Sequence, residues 1–232
     1  YEWRRGKNIM RFVYHPNSQR IIFGAGTLKQ LPDEVALLGI RRPMIISTEF
    51  QKDLAVEAKE LLGDSFESNI FDQAVMHVPR ESINAIMAEI KANNNDGCVC
   101  VGGGSTIGLG KAVALETGLP SIVVPTTYAG SEMTPIWGVT EDGVKTTGRD
   151  TKVLAKTVIY DPELTVTLPD FLSGPSGINA IAHCVEALYA ENKNPIISLM
   201  AEEGIKALGE SLPVIILELD NMEARNKALY GA

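Results

Sequence analysis

The stretch "GCVCVGGGSTIGLGKAVALETG", residues 97–118, decides how this chain folds. Its first part is short, apolar and bounded by glycines, the profile of a strand buried on both faces. Its second part, from Ser105, reads as a helix that stops at Gly118. A strand's carboxyl end therefore meets a helix N-terminus at Gly102, Gly103 and Gly104. Glycines let a backbone approach a ligand closely and adopt positive φ. The free N–H groups and the helix dipole then favour an anion such as a pyrophosphate. The spacing is not G-x-G-x-x-G, and Lys111 does not stand in the Walker position. Three glycines at a strand end also make an ordinary tight turn, and that reading stands beside the first. A second polar turn, "PTTYAGSEMT" (Pro125–Thr134), closes the next strand. Two neighbouring strand ends with small, hydroxyl-rich loops form a crevice suited to a dinucleotide.

Working outward, the same alternation repeats. "RFVY" and "RIIFG" read as strands, and a helical stretch runs from Gly26 to near Gly39. "PMIIS" is a strand, about Phe50 to Leu62 a helix, "SNIFD" a strand and "PRESINAIMAEIKAN" a helix. "PSIVVPTT" and "KTVIYDP" add two more strands, and Asp142-Gly143 marks a hairpin within "IWGVTEDGVKTTG". Strands alternating with helices of this length predict βαβ units and a parallel sheet. After Pro162 strand signals stop, leaving helices at Ser176–Glu191, Pro195 to about Leu219 and Met222–Tyr230, with Pro213 expected to kink or split the second. The expected fold is α/β: a parallel-sheet dinucleotide-binding domain over residues 10–161, then the start of an all-helical domain over 162–232. About 70 helical residues lack the mass of a comfortable domain. The helical part therefore reads as cut short, with Ile205, Leu208, Leu212, Ile215 and Ile216 short of partners and the chain prone to aggregate, to bind cofactor weakly and not to turn over.

The net charge of −8 and pI near 5.0, with Lys and Arg scattered, argue against a nucleic-acid surface. No apolar run approaches the ~18–20 residues of a membrane span, and no secretion signal is visible; "YEWRRGKN" before Met10 reads as an upstream extension. Three cysteines, Cys98, Cys100 and Cys184, form no disulfide framework and suit a reducing cytoplasm. Cys98 and Cys100 point the same way on one strand.

The helix "SGINAIAHCVEALYAE" sets Asn179, His183 and Glu186 along one stripe. Carboxylate-x-x-x-His on one face would hold a divalent cation, but an amide takes the first position, and neutral oxygen is a poor ligand beside carboxylate. The stripe is either the wet side of an amphipathic helix or a metal position refitted for polar contacts. On the second reading His183 bonds a substrate carbonyl or carboxylate and Asn179 orients it. His15 and His77, the other histidines, fall in the nucleotide half.

GGGS before a helix, PTT followed by GSE-x-T, "YDPELTVTLP" and the His183 helix occur in one order, and in these motifs the chain resembles the iron-containing alcohol dehydrogenases. "GGGSTIGLGKA" and "GINAIAHCVEALYA" are similar to the maleylacetate reductase branch. The resemblance covers Arg11 to the end, and family members are longer by well over about a hundred residues, with an α/β nucleotide domain, a helical domain and the active site between. It implies that Gly102, Gly103, Gly104 and Ser105 hold the cofactor pyrophosphate, that Thr126 and Thr127 contact the cofactor, and that Ser131 lies near the nicotinamide. It also implies that Lys156 borders the cleft. Arg149, Lys152 and Lys156 read as surface charge, and against that reading the place of Lys156 at the start of a buried strand near the domain boundary suits it to meet an anionic substrate. The chain departs from the broad family at Gly108, where an Asp is usual, at Ser47-Thr48, where many have TD, and at Asn179, where the metal-ligand Asp stands. Without an acid at Thr48, NADPH is not strongly excluded.

The expectation is therefore an NAD(P)H-dependent reductase acting on an unsaturated dicarboxylate, maleylacetate to 3-oxoadipate, with hydride delivered to a ketone carbon. Catalytic roles fall to His183 and Lys156, substrate contacts to Asn179 and His183, and cofactor contacts to Gly102–Ser105, Thr126, Thr127, Ser131 and Thr48. No metal is expected, and a cytoplasmic homodimer is. The rivals are a metal-dependent alcohol or glycerol dehydrogenase, and a nucleotide-binding fragment without catalysis.

Overall fold

The computed structural model describes residues 11–232; Met10 and the upstream extension lie outside them. Six strands form one parallel sheet: β1 (Arg20–Phe23), β2 (Pro43–Ile46), β3 (Asn69–Phe71), β4 (Gly97–Gly102), β5 (Ser121–Pro125) and, after an antiparallel hairpin of β6 (Ile136–Glu141) and β7 (Val144–Arg149), β8 (Thr157–Tyr160). Their order across the sheet is β1-β8-β5-β4-β2-β3. Each central strand is buried end to end because helices cover both faces, which is why these segments are apolar without alternation.

The two faces bury different sets of side chains. Helices α1 (Leu31–Leu37) and α2 (Lys52–Leu62) share one apolar cluster with Ile45, Val99, Val101, Ile122 and Val124. The other cluster joins α3 (Arg80–Asn93) and α4 (Gly104–Thr117) to Met44, Ile46, Cys98, Cys100 and Val123. The period of two along each strand produces this split, and it sets both cysteines on the α4 face. α4 is apolar on nearly all sides because it lies between the sheet, α3 and the hairpin. Asp142 and Gly143, both at positive φ, close the hairpin in two residues.

The helical part consists of α5 (Asp170–Tyr189), α6 (Pro195–Leu217) and α7 (Met222–Gly231). α6 is started by Asn194, whose side chain accepts from the N–H groups of Ile196 and Ile197 at 3.1 Å, followed by Pro195 at the first helical position. Leu208, Leu212, Ile215, Ala224, Ala228 and Leu229 belong to the same cluster as the α4 face, so the core runs from the sheet into these helices. That corrects the expectation that the α6 stripe lacks partners: Leu208 and Ile215 are fully buried, Ile205 is half-buried, and only Ile216 of the five is exposed.

Three further expectations change. "RFVY" forms no strand, since residues 11–19 have no regular structure and Phe12, Val13 and Tyr14 are exposed. α5 starts at Asp170 and runs through Pro175, six residues before the expected Ser176. α6 continues through Pro213 and is not split there, with Leu212 and Ile215 on either side packed into the core.

Candidate functional site

Chain connections step away in opposite directions from β2 and β4, which lie side by side, and such a reversal opens a crevice beyond the strands' carboxyl ends. β4 delivers the glycine turn to that crevice. Gly102 has φ +148°, a conformation that favours glycine, and a Cβ there would lie 2.6 Å from both Gln51 Oε1 and Thr106 Oγ1. Gly103 is extended, with φ −91°, and needs to be small for another reason: a Cβ would lie 2.8 Å from Thr127 Cγ2. Only Gly104, the first residue of α4, faces open space. The first two glycines thus let three strand ends close together, and the third leaves the helix N-terminus open, where an anion would be favoured.

Polar groups converge around this turn. Gln51, beyond β2, donates from Nε2 to Thr126 Oγ1 at 2.6 Å, crossing the crevice beside Gly102. Thr126 N–H donates to the Gly102 carbonyl at 3.3 Å. The hydroxyls of Ser47, Thr106 and Thr127 are buried without a hydrogen-bond partner among the described residues. Unpaired buried hydroxyls are uncommon. Together with the cradle at Gly102–Gly104, they fit a phosphate-bearing ligand seated over the strand ends.

A cleft of about 470 Å³ opens from the first turn of α4. Gly104, Ser105 and Gly108 line its helix side, Ser131 its inner end, His77 the β3–α3 loop, and Trp137, Lys145 and Thr147 the hairpin. Lys111 holds the inner wall in place. Its buried Nζ donates to Ser131 O at 2.5 Å, Thr134 Oγ1 at 3.1 Å and Ile136 O at 2.8 Å. Burial pulls its pKa down to about 8, against the opposing pull of Glu132. Glu132 is pushed up by its own burial and accepts from Tyr160 OH at 2.7 Å. Burial also raises the Cys98 thiol to about 12 and the Cys100 thiol well above its usual range, so neither is a nucleophile.

The structure brings together part of the expected set. Gly102, Gly103, Gly104, Ser105, Thr126, Thr127 and Ser131 share the crevice and cleft, and Thr48 flanks them at the end of β2, half-buried. Lys156 does not join them. It immediately precedes β8 and is exposed, and parallel strands put their starts at the edge opposite the glycine turn. Asn179, His183 and Glu186 are exposed on α5, with His183 Nδ1 3.3 Å from Glu186 Oε2, and none lines the cleft. Gln51, His77, Trp137 and Lys145 escaped sequence reasoning, because each arrives from a loop or hairpin with no motif of its own.

A parallel sheet with its glycine turn at the reversal point, followed by a helical part, defines a class, and the chain belongs to the iron-containing alcohol dehydrogenase family. Residues 18–162 match the model described as "Iron-containing alcohol dehydrogenase", and residues 175–232 match the C-terminal model of that family. Among individual proteins, it is 53% identical over 222 residues to the maleylacetate reductase of Sphingobium indicum, covering 96% of this chain and 62% of that protein. A solved maleylacetate reductase from Agrobacterium tumefaciens is 47% identical with a TM-score of 0.93, covering 96% of this chain and 63% of that one. A solved iron-containing alcohol dehydrogenase from Corynebacterium glutamicum is 44% identical with a TM-score of 0.91, covering 97% and 62%. The chain spans about 62% of the length of the curated relatives it matches.

Membership corrects the expectation that no metal is needed, since the family is described as iron-containing. The described residues do not by themselves make a fitting site: no group of three or more His, Cys, Asp and Glu stands close enough to hold an ion. His183 and Glu186 offer two donors, and the Asn179 amide is a weak third.

Proposed function

We propose that this chain carries the nucleotide-binding half of an NAD(P)H-dependent reductase that converts maleylacetate to 3-oxoadipate in the breakdown of aromatic compounds. The observation that carries this reading is the 53% identity to a maleylacetate reductase over 96% of the chain. Gly102, Gly103, Gly104 and Ser105 seat the pyrophosphate, Thr126 and Thr127 flank it, and Ser131 lines the nicotinamide end. Thr48 and Gln51 meet the adenosine end across β2. Bound there, the dinucleotide supplies hydride.

The product retains its ketone, so the balance of atoms corrects the site of attack. Hydride adds to the alkene carbon β to the ketone, the alkene's electron pair moves through the α carbon to the carbonyl oxygen as an enolate, and a proton completes the α carbon as the ketone re-forms. The protein's task is then to orient the enone and stabilise negative charge on that oxygen. Asn179 and His183 on α5 are proposed for the substrate's oxygens. Lys156, exposed at the far edge of the sheet, is left out.

The proposed setting is the cytoplasm; no helix among the described residues is long and apolar enough to cross a membrane. A homodimer is proposed from β1, an edge strand with Ile21 and Phe23 exposed, preceded in the chain by the exposed apolar residues Phe12, Val13 and Tyr14. Oxidation of NADH and NADPH would be followed with maleylacetate, saturated ketones and simple alcohols. Preference for a saturated ketone or an alcohol would overturn the proposal.

Both cofactors are expected to bind within about tenfold of each other, a difference of about 1.4 kcal/mol, because no acid at Thr48 repels a 2′-phosphate. Thr48→Asp is expected to shift the ratio of dissociation constants toward NADH. A native preference above about a thousandfold, 4.1 kcal/mol, would show that another group excludes NADPH.

A further inference from the structure

We infer that Lys111 is a positioning residue of this site: from α4 its ammonium, with Glu132 as counter-charge, fixes the turn that sets Ser131 at the nicotinamide end of the cleft. The inference rests on the dinucleotide reading above and assigns a role to two buried charges which that reading leaves unused.

A buried ammonium is costly unless it is paired and hydrogen-bonded. Lys111 is 4% exposed and Glu132 2%, on and against a helix that is otherwise apolar on nearly all sides. Packing alone gives no reason for either charge. The bonds do. The ammonium's three N–H donors reach Ser131 O, Thr134 Oγ1 and Ile136 O, so one side chain holds both ends and the middle of a single turn. Thr134 Oγ1 braces the same turn by donating to Ser131 O at 3.1 Å. Glu132, between these anchors, is buried: its Oε1 accepts from Tyr160 OH on β8, and its Oε2 has no hydrogen-bond partner among the described residues. Lys111 supplies the opposing charge through space. Before β1, Gln19 Nε2 donates to Glu132 O at 2.9 Å and Asn17 Nδ2 to Met133 O at 3.2 Å. The turn's own regular structure is one short 3-10 helix, Ser131–Met133, so its shape comes from these side chains.

Lys111 follows Ser105 on α4 by six residues, about 9 Å along the axis at 1.5 Å per residue. On the dinucleotide reading the start of α4 meets the pyrophosphate, and Lys111 holds the wall beside the nicotinamide. Its loss should therefore act at one end of the ligand only, which separates positioning from support of the fold. Lys111→Met is expected to weaken NADH binding about tenfold, 1.4 kcal/mol, in calorimetric titration. ADP-ribose, which lacks the nicotinamide, should bind within about twofold of the parent. The single change strands the Glu132 carboxylate in the interior, so the double variant Lys111→Met, Glu132→Gln is measured beside it, and decides alone should the single variant not fold. Neutrality restored, the double variant should melt above the single one and keep the whole NADH defect, because the three anchors are still missing. Equal weakening of both ligands, or NADH affinity in the double variant equal to the parent's, would overturn the role of Lys111 and leave the dinucleotide reading standing. A parent chain that binds neither ligand would overturn the dinucleotide reading and this inference with it.

Discussion

Gly103→Val is expected to lower NADH affinity by at least about a hundredfold, about 2.8 kcal/mol, while the protein remains folded. The reason is steric. Gly103 has an ordinary extended backbone, so valine is not forbidden by φ; its Cβ meets Thr127 Cγ2 at 2.8 Å and Thr127 Oγ1 at 3.2 Å. Thr127 must turn, or the end of β5 must part from the end of β4, and either displaces the groups proposed to meet the phosphates. Overpacking of this kind costs about 1–3 kcal/mol, below the ~5–15 kcal/mol that holds a domain together. Far-UV circular dichroism should therefore match the parent while the fluorescence titration is lost. Retained affinity would show that the dinucleotide does not sit on this turn. Gly104→Ala makes the control: a Cβ there meets nothing within 4 Å, so its effect comes only from contact with the ligand.

Arg225→Met is expected to be the most destabilising single change in the helical part. Arg225 is fully buried on α7, and its guanidinium donates to Leu168 O at 3.0 Å, Leu219 O at 2.8 Å, Ser173 Oγ at 2.8 Å and Tyr128 OH at 3.1 Å. Those four acceptors belong to the linker after β8, the α6–α7 turn, α5 and the loop after β5. One side chain thus ties the helices to the loop that carries Thr126 and Thr127. Methionine fills part of the volume; Leu168 O keeps its bond from Ser173 Oγ at 2.9 Å, but Leu219 O, Ser173 Oγ and Tyr128 OH each lose their donor, at about 1 kcal/mol or more apiece. A loss of about 3 kcal/mol follows, or roughly 10 °C in Tm for a chain of this size. Arg225→Lys should recover part of it through one or two of the bonds. A Met variant that melts within about 2 °C of the parent would show that relief of the buried charge offsets the lost bonds.

Much of this molecule was legible as a string. The continuous apolar runs at residues 43–46, 97–102, 121–125 and 157–160 read as buried parallel strands because each is too short for a helix buried all round and is bounded by turn residues. Asp142-Gly143 announced its hairpin because few pairs accept two positive φ angles in succession. "RFVY" misled because an alternating apolar segment looks like a strand whether or not a neighbouring edge is there to pair with it. Lys156 misled for a related reason: its place at the start of a strand was legible, but parallel strands send starts and ends to opposite edges, and the site occupies only one.

The glycine turn shows where the division falls. That residues 102–104 would join a strand to a helix, and that an anion would suit the junction, followed from residue types alone, because backbone freedom and helix dipoles are local properties. Which glycine makes room for Thr127, which one faces open space, and which side chains complete the walls depended on strand order. The adjacency of β2 and β4, 54 residues apart in the register pair Ile46 and Cys100, brings Gln51 beside Gly102. The hairpin's position over the β3–α3 loop turns His77 toward the cleft. Those placements come from packing between elements distant along the chain, and no local pattern encodes a contact whose partner is chosen only when the sheet closes.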